Sequence, residues 1–246
     1  MNYDNRNGME YVGLTMDVDW APDFVLEKIF DEIRERKLNC TVFATHESEV
    51  IKNIDRKYFE VAIHPFFKDE NYREPIRKLL GIYKEARGLR SHCLIQSSNI
   101  IAVLPSEGIR YDSNTYLANV PDITAFKDWN GLVRIPFFFM DTFFLDTHSK
   151  DSRKIENICL DRPGLKIFDF HPIHLYLNTE TVAQYNKMKT ECKLSPNTKK
   201  DVLDRYINKE RDGTKDILSK LLLYIDDNKL KTFKMNEVER EIGSKI

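Results

Sequence analysis

Several apolar segments of this sequence end in, or run into, residues whose side chains could do chemistry. The segments are YVGLTMD, YFEVAI, GLRSHCL and LKIFDF. The carboxylates, imidazoles and guanidinium at or near their ends are Asp17, Asp19, His64, Arg90, His92 and His171. In parallel α/β folds the carboxyl ends of the strands surround the ligand site, so we expect these groups to converge.

The side chains at these strand ends are of the types that a metal-dependent hydrolase uses. Asp17 and Asp19 are two residues apart, which on a strand puts them on the same side, where they repel unless a cation or a shared proton relieves them. One carboxylate and two neutral imidazoles suit zinc, while a second carboxylate can act as general base and a further histidine as general acid. The competing interpretation is structural: capping or surface aspartates, and hydrogen-bonded core or loop histidines at His64 and His92.

The remaining histidines differ in their surroundings. His174 shares with His171 the strongly apolar stretch FDFHPIHLYLN, where an idle histidine is unexpected. His46 and His148 lie in polar stretches and are predicted to be surface residues. Nucleophile motifs such as G-x-S-x-G, phosphate-binding glycine loops and H-E-x-x-H do not occur in the sequence.

Strands and helices alternate along the chain, which favours a (β/α) barrel over an open sheet. The spacing predicts a strand at Tyr11–Asp17, a helix after Pro22 and a strand at 40–45, the signature of a βαβ unit. Further predicted strands are 58–63, 89–94, 133–140, 165–170 and 231–235. Further predicted helices are 76–86, 100–104, 216–226 and 236–242. We expect a single domain over 1–246, with a polar helical segment near 180–215 and a C-terminal helical region.

Amino-acid composition and charge exclude few functions, but they indicate the broad class of the protein. The chain has 246 residues, 41% hydrophobic and 31% charged, with a net charge of -1, so no basic field favours nucleic acid or anionic membrane. No apolar run approaches the roughly eighteen residues of a membrane helix, and the N-terminus lacks the apolar core of a signal peptide. The scattered cysteines indicate a reducing compartment. We therefore expect a cytoplasmic α/β protein.

Four motifs together resemble those of polysaccharide deacetylases of the NodB-homology type, the carbohydrate esterase family 4-like proteins. They are LTMDVDW, EVAIHPFF, GLRSHCLIQSS and IFDFHPIHLYLNT, in family order over about residues 11–179. They are most similar to the WbmS-like branch, associated with bacterial surface-polysaccharide biosynthesis. The resemblance implies a distorted (β/α) barrel of about seven strands and metal-dependent hydrolysis of an N-acetyl or O-acetyl group on a sugar.

The resemblance also implies roles for single residues. It makes Asp17 the catalytic base, Asp19 and His64 metal ligands, Arg90 the support of the base, and His171 the acid. Val18 separates aspartates that are adjacent in the family, so the roles of Asp17 and Asp19 could be exchanged. Lys68 stands where the family has a second metal histidine, so the third ligand must come from elsewhere. The candidates are His92 first and His174 next, the latter as ligand or acid.

The sequence thus predicts a metal-dependent carbohydrate deacetylase, acting on N-acetyl before O-acetyl groups. The expected cofactor is a divalent metal ion, zinc before other transition metals, and the substrate an acetylated sugar, sugar nucleotide or lipid-linked glycan. Trp20, Tyr111 and Asp112 are candidate substrate contacts, with a core or turn role as the alternative. Two alternative functions stay open: a metal-dependent amidohydrolase for a non-sugar amide, and a non-catalytic carbohydrate-binding relic. The oligomeric state is open.

Overall fold

Ten strands form one curled sheet in the part of the chain that the structure describes. The structure is a computed structural model and describes residues 3–5, 9–118, 120–147, 160, 162–209 and 212–244. Strands β1 to β5 are Tyr11–Asp17, Cys40–Ala44, Phe59–Ile63, Gly88–Leu89 and Tyr111–Asp112. Strands β6 to β10 are Phe126–Lys127, Val133–Arg134, Phe139–Met140, Ile167–Phe170 and Lys231–Phe233.

Ten α-helices lie within the described residues. Helices α1 to α5 are Asp23–Glu35, Glu49–Lys52, Arg73–Ile82, Ser98–Val103 and Asp141–Thr147. Helices α6 to α10 are Pro172–Leu177, Val182–Cys192, Lys200–Leu203, Thr214–Asp227 and Met235–Gly243. In α1, apolar residues recur at helical spacing; Phe24 is half-buried, and the buried ones are Val25, Leu26, Ile29, Phe30 and Ile33. Asp23 in its first turn and Arg34 in its last turn complement the helix dipole.

The sheet has the order β6-β7-β5-β4-β3-β2-β1-β9-β8, with β10 also paired to β1. Every pairing is parallel except that between β6 and β7. The segment between β7 and β8 joins the two halves of the sheet. Phe137 N donates to Thr115 O, which follows β5, and Phe138 N donates to Ile167 O in β9. The sheet therefore curls into the predicted (β/α) barrel, and the carboxyl ends of its parallel strands share one face.

The sequence predicted the long elements more closely than the short ones. The strand predicted at Tyr11–Asp17 has the observed bounds. The strand predicted over 133–140 is instead two strands of two residues, β7 and β8. They are separated because the chain crosses there, at Pro136, from β5 to β9. Five of the ten strands have only two residues, and they raise the number of strands above the roughly seven expected.

Two further observations bear on the residues singled out in the sequence. His46 is half-buried rather than a solvated surface residue, because both its ring nitrogens are buried and have no partner among the described residues. His148 lies outside the described residues. Among the described helices, none combines the length and apolar character needed to span a membrane.

Candidate active site

Asp17 and Asp19 reach the catalytic face by different routes. Asp17 is the last residue of β1 and is buried. Asp19 lies beyond the strand, and Asp19 and Trp20 have φ angles of 44° and 58°. Residues other than glycine rarely adopt this left-handed region, which costs about 1–3 kcal/mol each. The sequence predicted Asp19 on the same side of a strand as Asp17. Strand alternation does not extend to Asp19, because β1 ends at Asp17, and a left-handed turn sets the direction of the Asp19 carboxylate instead.

Asp19, His64 and His92 form a group that could hold a metal ion, with one ligand atom of each within 4.8 Å of the others. Asp19 Oδ1 lies 2.9 Å from His92 Nδ1 and 3.3 Å from His64 Nε2. The other nitrogen of His64, Nδ1, is buried without a partner among the described residues. One carboxylate and two imidazoles suit zinc and other divalent transition metals, so the donor set fits the expected ion.

The electrostatics of this group keep Asp19 anionic. Burial opposes ionisation of Asp19, but hydrogen bonds from His64 and His92 hold its pKa well below the usual value. Burial likewise opposes the charged form of His64, yet Asp17 and Asp19 raise its pKa. The raised pKa of His64 reports the negative charge of these two carboxylates, and such negative charge also favours a bound cation.

His92 is carried by a 3₁₀ turn, His92–Leu94, rather than by the strand predicted over 89–94. Cys93 and Leu94 in this turn have φ angles of 59° and 54°. The His92 ring lies edge-on to Trp20, with 4.9 Å between ring centroids, and to His64, at 5.5 Å. A second left-handed turn therefore accompanies the placement of His92 beside Asp19 and His64.

Arg90 is fully buried below this group, between two aromatic rings. Its Cζ lies 4.3 Å from the ring centroids of both Phe43 and Phe137. Its Nη1 donates to Asp17 Oδ1 at 2.9 Å and to Asp169 Oδ1. Asp17 is thus held through Oδ1, while its Oδ2 lies 3.8 Å from His64 Nε2.

The other guanidinium hydrogen bonds fix the position of Arg90. Nη1 also donates to Thr15 Oγ1 at 3.0 Å, Nε donates to Ser113 O at 3.0 Å, and Nη2 donates to Ser113 Oγ at 3.0 Å. Sequence reasoning did not single out Thr15, although its place two residues before Asp17 puts it on the same face of β1.

Asp169 is the second carboxylate bound to Arg90. Burial raises the pKa of Asp169, with Asp17 adding to the effect and Arg90 opposing it. Asp17, Asp169 and His171 also have ligand atoms within 4.8 Å of one another. Arg90 already supplies positive charge between the two carboxylates, so this second group is the poorer cation site.

His171 follows β9 and pairs with Asp141 at the start of α5. Its Nδ1 lies 2.7 Å from Asp141 Oδ1, and its backbone N donates to Asp141 Oδ2 at 2.8 Å. Burial opposes the charged imidazolium, but the Asp141 carboxylate raises the pKa of His171 well above its usual value. The pair turns His171 Nε2 toward Asp19 Oδ2, 3.6 Å away.

The other candidate residues have different positions. His174 is outside both ligand groups; its Nδ1 lies 3.1 Å from Thr179 Oγ1, and burial lowers its pKa to about 4. Tyr111 and Asp112 are both buried in the barrel, which agrees with the core role that is the alternative to substrate contact. Tyr111 donates to Glu60, and Asp112 is paired with Arg134. Trp20 is half-buried and borders His92.

Known proteins resemble this chain in sequence and in fold. The family model described as WbmS-like polysaccharide deacetylase matches residues 14–189. A protein from Bordetella bronchiseptica, described as a polysaccharide deacetylase involved in O-antigen biosynthesis, has 29% identity and a TM-score of 0.77, covering 90% of this chain and 91% of its own. No curated protein matched the sequence.

Two more distant structures share the fold alone. The CE4 domain of a multidomain xylanase from the hindgut metagenome of Trinervitermes trinervoides has 11% identity and a TM-score of 0.52, with 96% of this chain and 92% of that chain covered. A CE4 family pseudoenzyme from Bacillus anthracis has 12% identity and a TM-score of 0.51, with 94% and 66% covered.

Proposed function

The chain belongs to the WbmS-like polysaccharide deacetylase family, and from this membership and the geometry of its site we propose that it is a metal-dependent hydrolase that removes an acetyl group from a sugar. One observation carries the proposal: the ligand atoms of Asp19, His64 and His92 converge within 4.8 Å beside Asp17. Those three residues would hold the ion, which when bound supplies Lewis-acid polarisation of the acetyl carbonyl group.

Asp17 is the proposed general base. Its Oδ1 is occupied by Arg90, which leaves Oδ2, on the side of His64, to accept the proton of the attacking water. Asp19 touches both histidines, and this supports the ligand role for Asp19 rather than the exchanged assignment.

His171 is the proposed general acid. With Nδ1 bound to Asp141, the proton available to the leaving group is on Nε2, at the side that faces Asp19. The raised pKa of His171 favours the protonated ring before the reaction. An amine leaves an amide only after it is protonated, so a protonated imidazolium at this position supports N-acetyl over O-acetyl as the substrate group.

The proposed substrate is an acetylated sugar of a glycan, sugar nucleotide or lipid-linked precursor in surface-polysaccharide biosynthesis. The Bordetella protein, described as acting in O-antigen biosynthesis, supports this class. Trp20, beside His92, is the proposed sugar contact, since of the three candidates in the sequence it lies at the open face. A cytoplasmic location stays a prediction, which cell fractionation tests.

Metal content and acetate release test the proposal together. The purified protein is analysed for bound metals and assayed against N-acetylated oligosaccharides, acetylated sugar nucleotides and O-acetylated glycans, with and without chelator. We expect one divalent ion per molecule and acetate release that stops when the ion is removed. Full turnover by metal-free protein would overturn the metal-dependent reaction.

Variants separate the roles of the two aspartates. Asp17→Asn should abolish turnover while retaining the ion, and Asp19→Asn should lose the ion. Asp31→Asn is the matched control, because Asp31 lies on α1 in an exposed ion pair with Arg34. Loss of the ion in Asp17→Asn, with retention in Asp19→Asn, would reverse the assignment. Glycan binding without any turnover by the metal-loaded protein would instead favour a binding relic.

A further inference from the structure

Four side chains form a continuous stack from the buried arginine to the surface. The Phe137 ring covers the Arg90 guanidinium, with 4.3 Å between the ring centroid and Cζ. Tyr116 stacks on Phe137, with centroids 5.2 Å apart and planes inclined by 29°. Phe143 stacks on Tyr116, with centroids 5.1 Å apart and planes inclined by 21°. The outermost ring, Phe143, is 40% exposed.

The outer end of this stack is adjacent to the proposed acid. Phe143 is in the first turn of α5, two residues after Asp141, the carboxylate that binds His171 Nδ1. The intervening residue, Thr142, has its Oγ1 3.4 Å from the same nitrogen. The exposed ring therefore belongs to the same helical turn as the two residues that lie against the proposed acid.

Single exposed phenylalanines are common on protein surfaces, but Phe143 differs from them because its ring is the end of a stack. Near-parallel rings keep Phe143 in one orientation, because Tyr116 supports one face and is itself supported by Phe137. A ring held rigidly with accessible surface beside a catalytic pair is preorganised for a flat, partly apolar ligand.

We propose that the Tyr116–Phe143 pair is a sugar-binding subsite for the residue next to the acetylated one, so that the substrate contains at least two linked sugars. The proposal rests on the proposed function. A pyranose ring fits because its C–H groups form an apolar face that packs on an aromatic ring, while its hydroxyl groups remain in water. The neighbouring sugar, rather than the acetylated one, occupies this place, since Asp141 and Thr142 lie against His171 and Phe143 follows them on α5.

Chain-length dependence of the kinetics tests the subsite. Wild type and Phe143→Ala are compared on N-acetylglucosamine and on its linear oligomers of two to six residues. The ratio of kcat/KM for oligomer to that for monomer should fall about tenfold in Phe143→Ala, chiefly through KM, as expected for one lost aromatic stack. Phe143→Trp should restore the ratio.

Phe126→Ala is the matched control, since Phe126 is 47% exposed but lies on β6, which packs against α10. It should leave the ratio unchanged. An equal loss on monomer and oligomers in Phe143→Ala would indicate a disturbed Asp141–His171 pair and overturn the subsite. An unchanged ratio would also overturn it.

Binding distinguishes failure of the subsite from failure of the proposed function. Titration calorimetry with the hexamer of N-acetylglucosamine is carried out on wild type, Phe143→Ala and Phe126→Ala. Weaker binding to Phe143→Ala alone supports the subsite even if the wild type releases no acetate. Equal binding to all three proteins, or none to any, overturns it. Concentration-dependent dimerisation lost only in Phe143→Ala would assign the ring to a protein interface instead.

Discussion

Replacing Arg90 by methionine should destabilise the protein and its catalytic base together. Arg90 is fully buried, and its Nη1 donates to both Asp17 and Asp169. Loss of one partner from a buried ion pair costs about 3–5 kcal/mol. Arg90→Met deprives two carboxylates of their partner, but the pKa of Asp169 is already raised by burial, so that group can take up a proton. We therefore expect a single penalty of about 3–5 kcal/mol.

The pH dependence of this penalty has a defined sign. Without the guanidinium, the main opposition to the burial that raises the pKa of Asp169 is gone, so this pKa rises further above the unfolded value of about 3.9. The native state then binds protons that the unfolded state has released, so stability falls as pH rises through the interval between the two values. The difference between Arg90→Met and wild type should be small near pH 4 and large near pH 8.

Urea unfolding of metal-free protein measures the penalty at both pH values, and acetate release measures the effect on the base. The double variant Arg90→Met/Asp17→Asn should recover about 1–3 kcal/mol at pH 8, because the carboxylate that lost its partner is gone. Turnover of Arg90→Met should fall about 100-fold, as for other residues that orient a catalytic group. Arg134→Met, another buried arginine with carboxylate partners, should lose stability but keep kcat. A loss below about 1 kcal/mol at pH 8, or one that does not change with pH, would refute the reasoning.

Three other changes follow from the same contacts. Asp141→Asn should lower kcat by about 10²–10⁴-fold and move the loss of activity at high pH to a lower pH, because the pKa of His171 falls without the carboxylate; an unmoved pH profile would contradict this. Gly88→Ala should lower the free energy of unfolding by about 3 kcal/mol in urea titrations, since a Cβ there overlaps the buried Tyr111 ring, and a neutral result would mean that the ring can move. Glu60→Ala should cost more than Glu60→Gln by about 1–3 kcal/mol in the same assay, because glutamine retains one of the two acceptor oxygens for Tyr111, Thr41 and Asn236 whereas alanine retains none; equal costs would exclude this role.

The sequence predicted best those helices and strands whose apolar segments are long enough to show a helical or strand-like spacing. The strand Tyr11–Asp17 and the helix Asp23–Glu35 have continuous or helically spaced apolar residues, and burial follows that pattern. The two-residue strands β7 and β8 have no period to detect. Pro136 between them was an available signal, because proline cannot donate to a ladder and interrupts a strand.

The candidate site could be predicted as a set of residues but not as a geometry. Asp17 and His171 follow from their places at strand ends. Asp19, Trp20 and Cys93 adopt left-handed backbone conformations, which residues other than glycine adopt uncommonly. Tertiary contacts hold these turns, so no local pattern in the sequence predicts where the carboxylate of Asp19 is directed.

The interior of the barrel shows how these groups keep their positions without solvent. Alternate residues of a strand face the same side, so Gly88 shares a face with Arg90, and Glu60 shares one with His64. Parallel barrels usually fill this space with branched apolar side chains. Here Glu60 accepts from Tyr111 at 2.8 Å in a layer below Arg90, and Gly88 provides the room for that ring. A buried polar interior is stable only if its groups are paired, so Arg90 and the carboxylates around it form a fixed support for the catalytic face.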